Sequence, residues 1–302
     1  MLAPADLPRV VFGCGNFGGM GSAPALRAHG DGREQAFALL DHARDLGLTR
    51  FDTANTYGGG ASERFLGDWL ARQDPGFRAR AEVATKVGNP YGAPPGERPL
   101  SSGEVARHVD ESLRRLRLER IGLYYLHEFD PLTPLEETLA ALERALAAGK
   151  IAAFGVSNAS LADLQAVLRL AATGPLRAAF THVQNEFSLV FQRDLAEVIP
   201  LCVREGLGYV AFSPLAGGLL TGKYKAGEAA VAGTRLASAA DHYAHLATPQ
   251  TFAAVEALQR RAADRGWTTP GAALRFVLET PGVDSLIVAP RTIAQFDGYG
   301  WG

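Results

Sequence analysis

Short apolar runs alternate with longer runs of helical period along the whole chain. The strand-like runs are Val10–Gly13, Thr49–Asp52, Glu82–Lys86, Gly122–His127, Ala152–Ser157, Phe180–Gln184, Gly208–Ser213 and Ser285–Ala289. Most are apolar at nearly every position, not at every second one. That is the pattern of parallel strands covered on both faces. Eight such strands, each followed by a helix, is the number that closes a (β/α)8 TIM barrel.

The intervening segments carry helix signals. Thr133 is placed to cap a helix with Pro134 at its first position. Leu135, Leu139, Leu142 and Leu146 then form one apolar stripe, and Gly149 ends it. Ser160 opens the next, with Leu164, Val167, Leu168 and Ala171 facing inward. Val105, Val109, Leu113 and Leu116 repeat the pattern after Ser101. Thr248-Pro249 and Thr269-Pro270 each start a helix after the seventh strand, because proline at the first position loses an N–H that has no partner there anyway.

No composition shift divides the chain, so residues 1–302 read as one domain. The glycine- and proline-rich stretches Gly18–Gly32, Gly88–Pro99 and Pro214–Thr248 all follow strands. In a barrel those loops wall the active site.

Composition narrows the function. The chain has 302 residues, a net charge of -2 and 47% hydrophobic residues. It offers no basic footprint for nucleic acid and no polybasic face for a membrane. Cys14 and Cys202 are the only cysteines, which suits a reducing, cytoplasmic setting. The N-terminus lacks the basic and apolar regions of a signal peptide. Only Lys86, Lys150, Lys223 and Lys225 are lysines, so a lysine in an apolar strand is informative.

The first glycine motif misleads. Gly13-Cys14-Gly15-Asn16-Phe17-Gly18 spells G-x-G-x-x-G after a strand. A dinucleotide fold needs a helix at once, so that its N-terminal amides meet the pyrophosphate. Here more glycines follow, and a helix begins only near Arg33. These glycines instead read as close backbone approach at the rim of the first strand.

The chemistry gathers at strand ends. Asp52 closes TRFD, Tyr57 follows in a glycine turn, Lys86 closes EVATK and His127 closes GLYYLH. In a barrel all four meet at one mouth. A buried lysine calls for a carboxylate, and Asp52 is the candidate. A phenol titrates near ~10, and an adjacent ammonium is expected to lower that. Together the four describe a proton donor to a carbonyl, with His127 orienting the oxygen.

The runs FDTANTYGGGASERFLGDWL, ATKVG, LYYLHEFDP, GKIAAFGVSN, VQNEFSL, AFSPLAGGLLTGKY and IVAPRT resemble the aldo-keto reductases in order and across nearly the whole chain. The resemblance implies a barrel that reduces aldehydes and ketones with NADPH and needs no metal. It implies a tetrad of Asp52, Tyr57, Lys86 and His127, with Tyr57 the acid. Ser157, Asn158 and Gln184 would then hold the nicotinamide carboxamide. Phe212 would stack on the ring, in place of the usual tyrosine. Gly15, Asn16 and Phe17 fall in the cofactor site. Ser213, Leu215, Gly217, Leu219 and Lys223 fall at the pyrophosphate, and Pro290, Arg291, Thr292 and Gln295 at the adenosine 2′-phosphate. Arg291 with Thr292 favours NADPH over NADH.

Three departures from that family stand out. The hairpin that plugs the barrel floor is reduced or absent. The resemblance implies a long closing helix after Gln295, but residues 296–302 carry three glycines in seven positions and are not expected to be helical, so the expectation is that a second copy of the chain covers the gap or that the chain is cut short. Ala289 replaces a common glycine. Phe17, Tyr91, Phe129, Phe187, Tyr224 and Trp301 are expected to line an apolar cleft. Asp241, His242 and His245 would gather for a metal only on a helix. Two rival functions remain at this point: a cofactor-sensing subunit with little turnover, and a deoxysugar-nucleotide reductase.

Overall fold

A computed structural model of the chain describes residues 2, 4–92, 96–228, 230 and 233–301. The eight strands are β1 Val10–Gly13, β2 Arg50–Asp52, β3 Glu82–Val87, β4 Ile121–Leu126, β5 Ile151–Ser157, β6 Phe180–Glu186, β7 Gly208–Phe212 and β8 Ser285–Val288. They close in chain order into a barrel whose every ladder is parallel. The strand boundaries agree with the sequence reading to within two residues.

Alternation along each strand places the site. Phe12, Phe51, Tyr124, Phe154 and Tyr209 turn outward into the main core under the helices. Asp52, Lys86, Tyr125 and Gln184 turn inward. Because Lys86 is paired in register with Tyr125, and Ser157 with Gln184, these inward groups form adjoining layers.

The helices follow their signals with two small shifts. Ser160 caps its helix in a full capping box with Asp163. Thr248 accepts from the Thr251 amide as expected. Thr133 does not cap. Its hydroxyl donates to Asp130, 2.5 Å away, and the helix starts one residue later, at Leu135. The cap of the helix Thr269–Glu279 is Thr268, with Pro270 in its first turn.

No strand precedes β1 among the described residues. Pro4–Arg9 form a 3-10 turn instead, and Arg9 donates to the carbonyls of Leu278, Val283 and Asp284. A cavity of about 270 Å³ lies at that end of the barrel axis, reaching from Arg50, Glu82 and His182 up to Asp52 and Gln184. After β8 the described residues form only the short helix Ile293–Asp297. That corrects one expectation, since Phe296 and Asp297 are helical despite the glycines beyond them. Phe296 packs on Phe12 and His42, with Tyr299 and Trp301 against it. His42 also bonds Asp297 at 2.7 Å. No helix is long and apolar enough to cross a membrane.

Candidate active site

Four side chains from four adjoining segments meet at the C-terminal mouth of the barrel. Lys86 is fully buried and ion-paired with Asp52, and it donates to the Thr53 carbonyl at 2.8 Å. The other oxygen of Asp52 accepts from Gln184 Nε2 at 2.9 Å. Lys86 Nζ lies 5.1 Å from the Tyr57 ring centre. The Tyr57 and His127 rings meet edge to face, 5.6 Å apart. Tyr57 is held at this height by three successive glycines, Gly58, Gly59 and Gly60, all at positive φ. A Cβ on Gly58 would lie 2.4 Å from the Phe17 carbonyl oxygen, so the turn accepts no larger residue without moving.

The protonation states follow from burial and from one cation. Burial works to discharge Lys86, but Asp52 and Tyr57 beside it outweigh that and hold its pKa above the ordinary lysine value. Burial and Lys86 both push His127 well below the usual imidazole range, so the ring is neutral at pH 7. Burial raises Tyr57, Lys86 lowers it, and Asp52 raises it again; the balance lies above the ordinary phenol value. This corrects the expected direction. The ammonium does pull the phenol down, but desolvation at a barrel mouth is the larger effect. Tyr57 is a protonated acid across the physiological range.

The remaining expected residues separate into those that reach the cleft and those that do not. Phe212, half-buried at the end of β7, packs over Val11, Val210 and Ile287. Asn158 and Ser213, at the ends of β5 and β7, hold φ of 54° and 52°. Such left-handed backbone costs ~1–3 kcal/mol and concentrates at functional sites. Asn158 Nδ2 donates to the His127 carbonyl at 2.9 Å, so this residue also fixes the end of β4. Ser157 is buried beside it. Gln184 is turned inward. It donates to Asp52 and bonds Tyr125, so its amide is used inside the barrel.

Gly15 packs against the Tyr57 ring. Asn16 is buried, with Nδ2 on the Ala289 carbonyl at 3.2 Å. Phe17 is core, 6.0 Å from Phe12, so only its backbone faces the rim. Phe187 and Tyr224 are core as well. Phe187 stacks on Phe276, and Tyr224 packs with Leu219 and Leu220. Trp301 belongs to the tail cluster. Of the six aromatics expected in a cleft, Tyr91 is the exposed one and Phe129 is half-buried.

The loop after β7 turns through Ala216, Gly217, Gly218 and Gly222, all at positive φ. Backbone of this kind turns N–H groups into a concave anion seat. A Cβ on Gly217 would lie 2.6 Å from the Tyr243 ring, so the loop is shaped for backbone, not side chains. Leu215 and Leu219 pack inward and leave their backbone to the seat. Lys223 is exposed over the Tyr224 ring, 5.0 Å from its centre. Pro290 is buried, and Arg291 follows it. The Arg291 amide bonds Gln295 Oε1 at 2.9 Å, and Thr292 caps the helix after it. His245 bonds Glu186 at 3.3 Å, while the His242 side chain lies outside the described residues. Among the described residues no three potential ligands gather for a metal.

Three residues escaped the sequence reading. Tyr125 pairs with Lys86 in register and supports Gln184. Arg235 reaches Asn16 Oδ1 at 3.0 Å from the β7 loop. Asp31 is buried against Arg291. Inward alternation from Lys86 and His127 could have found Tyr125. Nothing local marks the other two.

The chain matches the Aldo/keto reductase family over residues 9–299. It is 35% identical to an uncharacterized oxidoreductase of Bacillus subtilis, YrpG, over 86% of this chain and 79% of that one. It is 34% identical to an NADP(+) aldo-keto reductase of Schizosaccharomyces pombe, over 72% of this chain and 61% of that one. It is 35% identical to the L-glyceraldehyde 3-phosphate reductase of Escherichia coli, over 65% of this chain and 57% of that one. The match therefore spans about three-fifths of the latter two relatives.

Proposed function

The chain belongs to the aldo/keto reductase family, and from that premise we propose that it is an NADPH-dependent reductase of small aldehydes or ketones, with Tyr57 as the general acid. The observation that carries the reading is the packing of a neutral His127 and a charged Lys86 around one protonated phenol at the barrel mouth. Family members with cofactor sites but little turnover would not need all three.

The residues fit the cofactor. Phe212 offers a ring face, the left-handed loop from Ala216 to Gly222 offers an anion seat, and Arg291 offers a fixed cation beyond β8. Barrels commonly hold phosphate near the loops after strands 7 and 8. When bound, the dihydronicotinamide supplies a hydride to the carbonyl carbon. The chain supplies everything else. His127 Nδ1 is buried without a partner, which leaves Nε2 to meet the substrate oxygen. A neutral ring protonated at Nε2 donates to that oxygen and aligns it. Tyr57 then gives its proton as negative charge develops, and Lys86 stabilises the phenolate left behind. Asp52 keeps Lys86 charged and in place, and Gln184 keeps Asp52 in place.

The test is a panel of aldehydes and ketones with NADPH, followed at 340 nm. Turnover of at least one carbonyl supports the reading. Cofactor binding with no turnover of any carbonyl would instead indicate a sensor.

Two further outcomes are expected. The rate of reduction should be flat from pH 6 to pH 8. His127 is already neutral there, and the raised phenol keeps its proton. The decline belongs above the ordinary phenol range of ~10. A bell centred near pH 7 would contradict both assignments. Arg291→Ala should weaken NADPH roughly tenfold or more, the size of a charge-assisted pair to phosphate, and leave NADH nearly unchanged. Equal weakening of both, measured by fluorescence titration, would remove the 2′-phosphate from this arginine.

A further inference from the structure

Arg291 is not an isolated cation. Its Nε donates to Asp31 Oδ1 at 3.0 Å, and its Nη1 donates to the Gly233 carbonyl at 3.1 Å. Asp31 lies just before the helix Arg33–Asp45, some 260 residues away in sequence. Its side chain is wholly buried. Its backbone is pinned to the first-strand loop, with its N–H on the Asn16 carbonyl at 2.7 Å and its carbonyl accepting from Gly18 at 2.9 Å. The second carboxylate oxygen, Oδ2, is buried with no partner. Arg235 hangs over the same corner, bonded to Asn16.

A buried acid with an unpaired oxygen is costly. Burial pushes the Asp31 carboxyl above its usual range even with Arg291 and Arg235 pulling it down. Arg291 does not depend on it for position, since its backbone is tied to Gln295 and its Nη1 to Gly233. The effect of the acid on chemistry lies at the ligand. A carboxylate against one edge of a guanidinium offsets the charge that a phosphate on its other edge would meet. A ribose hydroxyl suffers no such repulsion, and a carboxylate oxygen is its ordinary acceptor in dinucleotide sites.

We propose that Asp31 is the specificity-determining residue for the cofactor's adenosine end: it weakens the grip of Arg291 on a 2′-phosphate, so the site accepts both NADPH and NADH. This rests on the cofactor reading above. It goes beyond that reading by naming the residue that sets the preference.

The test is Asp31→Asn, which keeps the shape and an oxygen for Arg291 Nε while removing the charge. Dissociation constants for NADPH and NADH are measured by fluorescence without any carbonyl, so the result does not depend on turnover. NADPH should tighten about tenfold, the size of a unit-charge repulsion across ~6 Å of a wet site. NADH should stay the same or weaken. An unchanged ratio, or weaker NADPH, overturns the proposal. Should the variant fail to fold, the unaltered protein gives the answer by competition between 2′,5′-ADP and 5′-ADP. Comparable binding, within about tenfold (the tenfold offset of the acid set against a charged phosphate contact), is expected. A larger preference for the 2′-phosphate overturns the idea. If neither cofactor binds, the reductase reading falls together with this one. If both bind and turn over while the ratio is unmoved in Asp31→Asn, this inference alone falls.

Discussion

Tyr57→Phe is expected to lower the turnover number on the order of a thousandfold, because a positioned general acid contributes ~10²–10⁴. NADPH affinity should hardly change. The phenylalanine ring keeps the edge-to-face contact with His127 and the packing of Gly15 against it. Only the hydroxyl is lost, and with it the proton for the alkoxide. His127 is no substitute donor, because burial and Lys86 hold it neutral and far from protonation at pH 7. Steady-state rates on the best carbonyl of the panel, beside fluorescence titration with NADPH, separate the two effects. Turnover within tenfold of the unaltered protein would sink the assignment of Tyr57 as the acid.

The second large effect is expected at Lys86. Lys86→Met removes the one charge partner of Asp52 among the described residues and leaves a buried carboxylate facing the Gln184 amide. Breaking a buried pair from one side costs ~3–5 kcal/mol, since the remaining charge is left in a poor solvent. The stranded carboxyl will titrate higher in the folded chain than in the unfolded one. A raised folded pKa means that stability is lost as pH rises through it. The Lys86→Met protein should therefore be relatively less impaired at pH 5 than at pH 8, which denaturant melts at the two values will show. Turnover should fall about 10²–10³-fold, as when one charge-stabilising donor is removed from an active site. Adding Asp52→Asn to Lys86→Met should restore much of the stability, because Asn offers Gln184 an acceptor without charge. It should not restore turnover. Recovery of both would make Lys86 a folding residue only.

Arg291 and Asp31 act on a smaller scale, but they address a different question. On the proposed reading the tetrad governs whether a carbonyl is reduced, and the ion pair between the first loop and the last governs which cofactor binds. The two can be separated experimentally, because binding titrations do not need the acid and Tyr57→Phe does not touch the arginine.

Some of this was legible along the chain and some was not. The strands were, because a parallel strand buried on both faces is a continuous apolar run, and that is a local property. So was the tetrad, because lysine at the end of such a run cannot be an ordinary surface charge. Phe17, Phe187 and Tyr224 were misjudged as cleft residues. Each lies in a rim loop, and nothing in a loop sequence fixes which way a side chain turns. All three turn under the rim into core. Gln184 was read as the end of its strand, which runs on to Glu186, and its amide is directed to Asp52.

The sequence by itself determined the eightfold alternation of strand and helix and the set of groups that meet at one end, since buried parallel strands are continuous apolar runs and the polar residues stand at the ends of those runs. Tertiary structure alone decided how those groups behave. The phenol is raised rather than lowered because the depth of its burial outweighs one nearby cation. Arg291 is paired with a buried carboxylate because the chain closes on itself, bringing Asp31 from the first loop against the last. Desolvation and long-range pairing depend on distances through space, and distance along the chain does not encode them.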